Sequence, residues 1–229
     1  MRPVDDNWRE VFEIVVREGD LRGRRVLDCG CGTGRLSHAL AESESSRVWG
    51  VDPEPEMLRV AAGNVQASVG LRAGRAEDLP FRDGWFERAV MWLVCHLVDR
   101  PLAFRELHRV LGDDGRVAVV TFDPSHFGEF WLNRYFPSLE AIDRARFPNA
   151  DELRDQLIDA GFGGVRLVRH SHRASIAREQ AVERIERRHI STFDLLDADE
   201  VLRGTERAKK ELPATVEYRI EWLIAVADC

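Results

Sequence analysis

The stretch VLDCGCGTGRL, Val26 to Leu36, decides how the rest of the chain is read. A short apolar run ends in a carboxylate, Asp28, and is followed by three glycines at alternate positions, Gly30, Gly32 and Gly34. Glycine is needed where the backbone must take a positive φ or pass very close to a ligand. A strand that breaks into such a turn and then opens a helix presents backbone N–H groups and the positive end of the helix dipole to a ligand. Open α/β sheets place that turn in the crevice where strand order reverses. Two cysteines, Cys29 and Cys31, sit in the same few residues, so a metal site, a phosphate cradle and a nucleoside site all start as candidates.

The neighbouring residues narrow these. The four cysteines, Cys29, Cys31, Cys95 and Cys229, are scattered without the pair-and-pair spacing of structural zinc. Cys29 reads as strand packing and Cys31 as filling of the turn, and no metal is expected. A dinucleotide fingerprint is G-x-G-x-x-G, but Arg35 stands where its last glycine belongs. A phosphate loop needs Gly-Lys-Ser/Thr, whereas Gly34 is followed by Arg35 and Leu36. Both phosphate readings weaken. A nucleoside site also wants an acid at the end of the next strand to accept ribose hydroxyls, and Asp52, closing SRVWGVD, lies 20 residues past Gly32.

Outward from this turn, apolar runs and helical periods alternate. Val11, Ile14, Val15 and Glu18 recur at helical spacing up to Gly19-Asp20. RRVLDCG is a buried strand followed by a helix over GRLSHALAES, and SRVWGVD a strand followed by a helix with prolines in its first turn. VGLRAGRAEDLPF gives a short third strand and a loop. WFERAVMWLVCHL, PLAFRELHRVL and GRVAVVTFD read as strand and loop, helix, and strand. This alternation predicts a mainly parallel sheet covered on both faces. From Asp123 to Pro148 the period is lost and aromatics accumulate. NADELRDQLIDAGF restores a helix, GVRLVRHS a strand, Ala177 to Glu211 a charged helical region, and TVEYRIEWLIAVA a last strand.

Composition sets outer bounds. A chain of 229 residues builds a full core without disulfides. With 33 Lys and Arg against 40 Asp and Glu, the net charge is −7, the wrong sign for bulk nucleic-acid binding. The start has no basic segment followed by an apolar run, and no window approaches the ~20 apolar residues of a membrane span. A reduced, cytoplasmic setting is expected.

The run Asp28 to Gly34, D-x-G-x-G-x-G, closely resembles motif I of the class I S-adenosylmethionine-dependent methyltransferases, in the small-molecule branch of the methyltransferase type 11 kind. The likeness continues in register. VWGVDPEPEMLRVA resembles the second motif, GRAEDLPFRDGWFERAV the third and fourth, and LVCHLVDRPLAFRELHRVLGDDGRVAVVTF the following loop, helix and strand. Together these cover about Arg24 to Phe122, with GFGGVRLV and RIEWLIAVA similar to the closing strands. Departures are Cys29 for a usual leucine or isoleucine, Glu87 for aspartate, and Asp113-Asp114-Gly115 for Pro-Gly-Gly. None falls on a cofactor contact.

The resemblance implies an α/β fold with a mainly parallel seven-stranded sheet, its last strand antiparallel, and helices on both faces. It implies one domain: residues 1–23 as an N-terminal helical cap, 24–122 as the cofactor-binding core, 123–150 as an aromatic lid or insertion, and 151–229 as C-terminal helices and closing strands. It implies methyl transfer from S-adenosylmethionine to a small molecule, on oxygen, nitrogen or carbon, leaving S-adenosylhomocysteine. The cofactor group it assigns is Asp28, Gly30, Cys31, Gly32, Gly34, Asp52, Pro53, Met57, Glu77, Asp78, Leu79 and Met91. In it Asp52 serves the ribose, Asp78 with Leu79 the adenine, and Asp28 the ammonium.

Three further groups have both a functional and a plain reading. His96 follows the fourth strand at the carboxyl edge and suits a general base, or else lines the pocket. His126, Trp131, Arg134 and Tyr135 could line an acceptor pocket, or the aromatics could cover the sheet edge. The basic runs RLVRHSHR and REQAVERIERRH could steer an anionic acceptor, but read better as solvated faces. Alternatives to the main reading are an RNA or protein methyltransferase, a non-catalytic adenosyl-binding regulator, and, more distantly, a nicotinamide dehydrogenase. The acceptor's identity and the choice between monomer and homodimer are not legible.

Overall fold

The apolar run that precedes the glycines becomes the middle of the sheet. In the computed structural model, which describes residues 6–44 and 46–229, β1 (Arg25–Cys29) pairs in parallel with β2 (Arg47–Asp52) on one side and β4 (Phe86–Trp92) on the other. The first five residues of the expected N-terminal cap, and Ser45, lie outside the described residues. β3 (Gly70–Ala73) flanks β2, and β5 (Leu111–Phe122) flanks β4. With β6 (Gly163–Ala177) and β7 (Thr215–Asp228) the order is β3-β2-β1-β4-β5-β7-β6. Strand order therefore reverses between β1 and β4, and the glycine turn follows β1 at that switch.

β7 is inserted between β5 and β6 and runs antiparallel to both, so the expected architecture is the observed one. Its backbone bonds with β5 and the residue after it, Cys229 N to Gly115 O at 2.9 Å and Asp123 N to Glu221 O at 2.8 Å, pair the two segments in opposite senses. In β5, the partner of Phe86 is Leu111 while that of Arg88 is Arg116, so residues 112–115 bulge out. The Asp113-Asp114-Gly115 departure is this bulge, on the amino side of the sheet and away from the glycine turn.

The helices follow from their apolar spacing. α1 (Asp6–Glu18) buries Val11, Phe12, Val15 and Val16 on one face, and closes as Gly19 N donates to Val15 O. α2 (Arg35–Ser43) starts on Gly34, α3 (Pro55–Asn64) on a proline, and α4 (Arg100–Val110) on an Asp99 side chain that accepts from Leu102 N at 3.1 Å. On one face of the sheet Leu27, Ala89, Met91, Val117, Val119 and Leu223 join Phe104 and Leu107 of α4 in a single buried cluster. Val26, Val90, Val120 and Ile224, of opposite parity in the same strands, are fully buried as well. Burial on both faces is why these strands read as unbroken apolar runs.

The chain divides into two compact units. One runs to Thr121 and adds Ala150–Arg169, with α6 (Ala150–Asp159), and Trp222–Cys229. The other joins Phe122–Asn149 to His170–Glu221. In the second unit, 3-10 turns over Pro124–Glu129 and Trp131–Arg134 lead to α5 (Leu139–Arg146); α7 (Arg178–Glu186) and α8 (Ala198–Glu211) follow. Its core gathers Tyr135, Phe136 and Leu139 with Ile176, Ile185, Phe193 and Leu212. Phe136 meets Phe193 edge-on at 5.0 Å, and a Cβ on Gly204 of α8 would lie 2.4 Å from the Phe136 ring. Of the aromatic segment 123–150, residues up to Asn149 share this second unit with 170–221, whereas Ala150 opens α6 in the first.

Candidate cofactor site

Gly30, Gly32 and Gly34 all have positive φ, at 77°, 51° and 81°. Their surroundings separate them. A Cβ on Gly30 would lie 2.4 Å from Val94 Cγ2, and one on Gly34 would lie 2.7 Å from Val65 Cγ1. On Gly32 it would meet nothing within 4 Å among the described residues. Two of the glycines thus admit neighbouring side chains, and the third faces open space. The turn is tied to β2 where Gly30 N and Cys31 N both donate to Val51 O, at 2.8 and 2.9 Å.

The cysteines are packing residues. Cys29 belongs to the core cluster, and Cys31 Sγ would lie 2.9 Å from a Cβ at Gly50, which explains that glycine. Burial pushes both thiols well above the usual cysteine range, unlike the lowered pKa of a reactive cysteine.

Asp52 closes β2 beneath the turn. Its Oδ2 accepts from Gly32 N at 2.9 Å and its Oδ1 from Glu54 N at 3.0 Å. Each oxygen keeps a further acceptor site. Asp28 is fully buried and accepts from Ser37 Oγ at 2.6 Å, a bond that links β1 to the first turn of α2 across the loop. Burial pushes the Asp28 carboxyl up to about 6, against the Ser37 hydrogen bond, which favours the ionised form. Sequence reasoning missed Ser37; its signal was a hydroxyl three residues past Gly34.

Pro53 and Met57 are exposed at the start of α3. Asp78 is exposed after β3, and Glu77 beside it accepts from Asp99 N at 3.1 Å. Leu79 is buried; its N–H donates to Glu106 Oε2 at 2.8 Å and its carbonyl accepts from Arg109 at 3.1 Å. Of this pair, the carboxylate of Asp78 is the part turned to solvent. Met91 has no exposed surface and lies in the core cluster, since its strand is covered on both faces. His96 is half-buried in the loop after β4, where Leu93 takes φ 55° and donates to Val120 O at 2.8 Å. Val94 in that loop packs on Gly30, so the segment carrying His96 is joined to the glycine turn.

Arg35 opens α2, and its guanidinium lies 4.2 Å from the centroid of the Trp8 ring. A cation at a helix N-terminus opposes the dipole by about 0.3–1 kcal/mol, which a partly desolvated cation–π contact of about 1–2 kcal/mol offsets. His126, Trp131, Arg134 and Tyr135 all fall in the second unit. His126 is buried, its Nδ1–H donates to the Asp123 carbonyl, and burial lowers its pKa. Trp131 packs against that unit's core, Tyr135 is a buried member of it, and Arg134 is exposed 3.6 Å from Glu211.

Residues 26–115, which carry the glycine turn, Asp52, Asp78 and His96, match the family described as "Methyltransferase domain". The chain is 32% identical over 190 residues to the ubiquinone/menaquinone biosynthesis C-methyltransferase UbiE of Citrifermentans bemidjiense, covering 71% of this chain and 80% of that protein. The chain belongs to the class I S-adenosylmethionine-dependent methyltransferases. It is also 34% identical over 169 residues to the malonyl-[acyl-carrier protein] O-methyltransferase of Geobacter sulfurreducens, covering 68% of this chain and 61% of that protein. In fold it is similar to a methyltransferase from an antibiotic biosynthesis pathway of Anabaena variabilis, with a TM-score of 0.74 and 23% identity over 94% of this chain and 96% of that one.

S-adenosylmethionine fits the residues present. The methyltransferase has an open backbone cradle at Gly32, a carboxylate fixed beneath it, and a second carboxylate at Asp78 turned to solvent. When bound, the cofactor supplies an electrophilic methyl group on a sulfonium. No helix among the described residues is long and apolar enough to cross a membrane.

Proposed function

We propose that this methyltransferase acts on a small-molecule acceptor, leaving S-adenosylhomocysteine, in a reduced cytoplasmic setting. One observation carries the cofactor half of this reading: the Asp52 carboxylate is pinned by Gly32 N beside a cradle that no side chain of the described residues fills. In it, Asp52 binds the ribose hydroxyls, the backbone of Gly30, Cys31 and Gly32 approaches the methionyl part, and Asp78 takes the adenine amino group. Pro53, Met57 and Glu77 flank the adenosine. The protein's part in the reaction is to orient two reactants and exclude water.

Asp28 serves the cofactor's ammonium in its ionised form. With its carboxyl near 6, cofactor affinity rises about tenfold from pH 5 to pH 7. The unliganded fold behaves oppositely. A carboxyl pKa above its unfolded value makes this group's contribution to stability fall as pH rises from about 4 through about 6. Calorimetric titrations between pH 5 and 8 check the first statement. Asp28→Asn removes the pH dependence, and Ser37→Ala moves its midpoint upward; an affinity flat across this range in the native chain contradicts the role.

The acceptor reading draws on the relatives, one named for carbon methylation in quinone biosynthesis and one for oxygen methylation of a malonyl-acyl carrier protein. His96 acts as general base, and His126, Trp131 and Arg134 select the acceptor, with Tyr135 holding their segment in its core. Radiolabelled methyl transfer to a panel of quinols, carboxylic acids and amines, with tRNA in parallel, tests this. Label is expected in a small molecule and none in tRNA. With that acceptor, His96→Gln lowers kcat by about a hundredfold or more while cofactor affinity holds. Full turnover in His96→Gln eliminates the base.

A further inference from the structure

We propose that Arg35 is a positioning residue for cofactor capture: stacked on Trp8, it fastens the first turn of α1 to the helix that leaves the glycine turn. Arg35 is the residue immediately after Gly34, so any displacement of its backbone displaces the turn. Its guanidinium sits over the Trp8 ring at 4.2 Å, and Phe12, one turn further along α1, stacks on the same ring at 5.0 Å and 13°. Trp8 also lies 5.6 Å from Trp92, the last residue of β4, and Trp92 lies 6.0 Å from Trp222 of β7. Trp222 Nε1 donates to Asn7 Oδ1 at 2.8 Å, in a bond that is itself buried. The first turn of α1 is therefore held at the carboxyl edge by Arg35, Trp92 and Trp222 together.

Far down the same helix, Arg116 donates to the carbonyl of Glu18 at 3.2 Å, so α1 is anchored at its other end independently of Arg35. Loss of Arg35 removes one of these ties and loosens the first turn without releasing the helix. The residue type is otherwise unfavourable. A cation at the start of α2 opposes the helix dipole, and the cofactor brings a sulfonium of the same sign. A residue that breaks a local rule needs an offsetting gain. The Trp8 face supplies such a gain: it takes up the charge and joins α1 to the helix that leaves the turn.

Arg35→Met keeps the aliphatic stem and removes the cation; Arg35→Lys keeps a cation. In the full chain, Arg35→Met is expected to weaken S-adenosylmethionine binding about tenfold in calorimetry. Hydrogen exchange should quicken at the first-turn amides of α1, and cofactor should no longer slow it, while amides near Glu18 stay as in the native chain. Arg35→Lys should restore most of the affinity and the cofactor-dependent protection. Trp8→Phe, a smaller π face in the same place, should give an intermediate loss and serves if Arg35→Met does not fold. Native affinity and native protection in Arg35→Met would overturn the proposal. So would a fall in Tm shared by Arg35→Met and Arg35→Lys with affinity untouched, since that marks packing alone.

Discussion

Replacing Asp52 by alanine is expected to abolish S-adenosylmethionine binding, a fall of at least about a hundredfold in calorimetric affinity, while the chain stays folded. The carboxylate has two roles at once. It holds the turn in shape through Gly32 N and the entry to α3 through Glu54 N, and it offers its remaining lone pairs to the ribose. Hydrogen bonds to a charged group contribute about 1.5–3 kcal/mol each, so losing two acceptor contacts lowers affinity by roughly 10²- to 10⁴-fold. The fold tolerates the change because the two N–H groups lie at a surface loop and the head of a helix, where water can replace the carboxylate. Asp52→Asn, which keeps one acceptor oxygen, should retain a measurable part of the affinity. Unchanged affinity in Asp52→Ala would remove Asp52 from the cofactor site and the nucleoside reading with it.

What was legible in the sequence was local or periodic. The strand ending in Asp28, the glycine turn and the acid at Asp52 lie within about one strand-helix-strand unit, where residue type and spacing alone dictate the conformation. The strands buried on both faces announce themselves as apolar runs, which is why a mainly parallel sheet could be expected; its antiparallel last strand came only from the family resemblance. The second unit was not legible, because its core joins Tyr135 and Phe136 to Phe193, Ala208 and Leu212, residues some sixty to eighty positions away. No period links those segments, so the sequence does not show which residues the aromatics of 123–148 pack against. β6 likewise runs to Ala177, well past the GVRLVRHS expected of it, because its second half belongs to the second unit. Trp8 was missed for a related reason. A single aromatic on an amphipathic helix carries no sign of which cation lies across from it.

Within the glycine turn the sequence shows three equivalent residues, and the structure makes them different, which leads to the second large effect. Gly30→Ala is expected to destabilise the chain by about 2–5 kcal/mol. A left-handed backbone costs an alanine about 1–2 kcal/mol, and forcing a methyl group against Val94 adds an overpacking cost of about 1–3 kcal/mol. For a chain of this size that lowers Tm by on the order of 10 °C. Gly32→Ala has the same kind of backbone cost but no clash, so its Tm should fall by only a few degrees. Its cofactor affinity should nevertheless drop at least about tenfold, because the new methyl group occupies the space that the backbone leaves for the ligand. Thermal unfolding and calorimetry on the two variants separate the roles: Gly30 holds the loop of His96 against the turn, and Gly32 admits the cofactor. If Gly32→Ala bound S-adenosylmethionine as the native chain does, the open space above that residue would not be the cofactor cradle, and Asp52 beneath it would be fixing a turn for some other purpose.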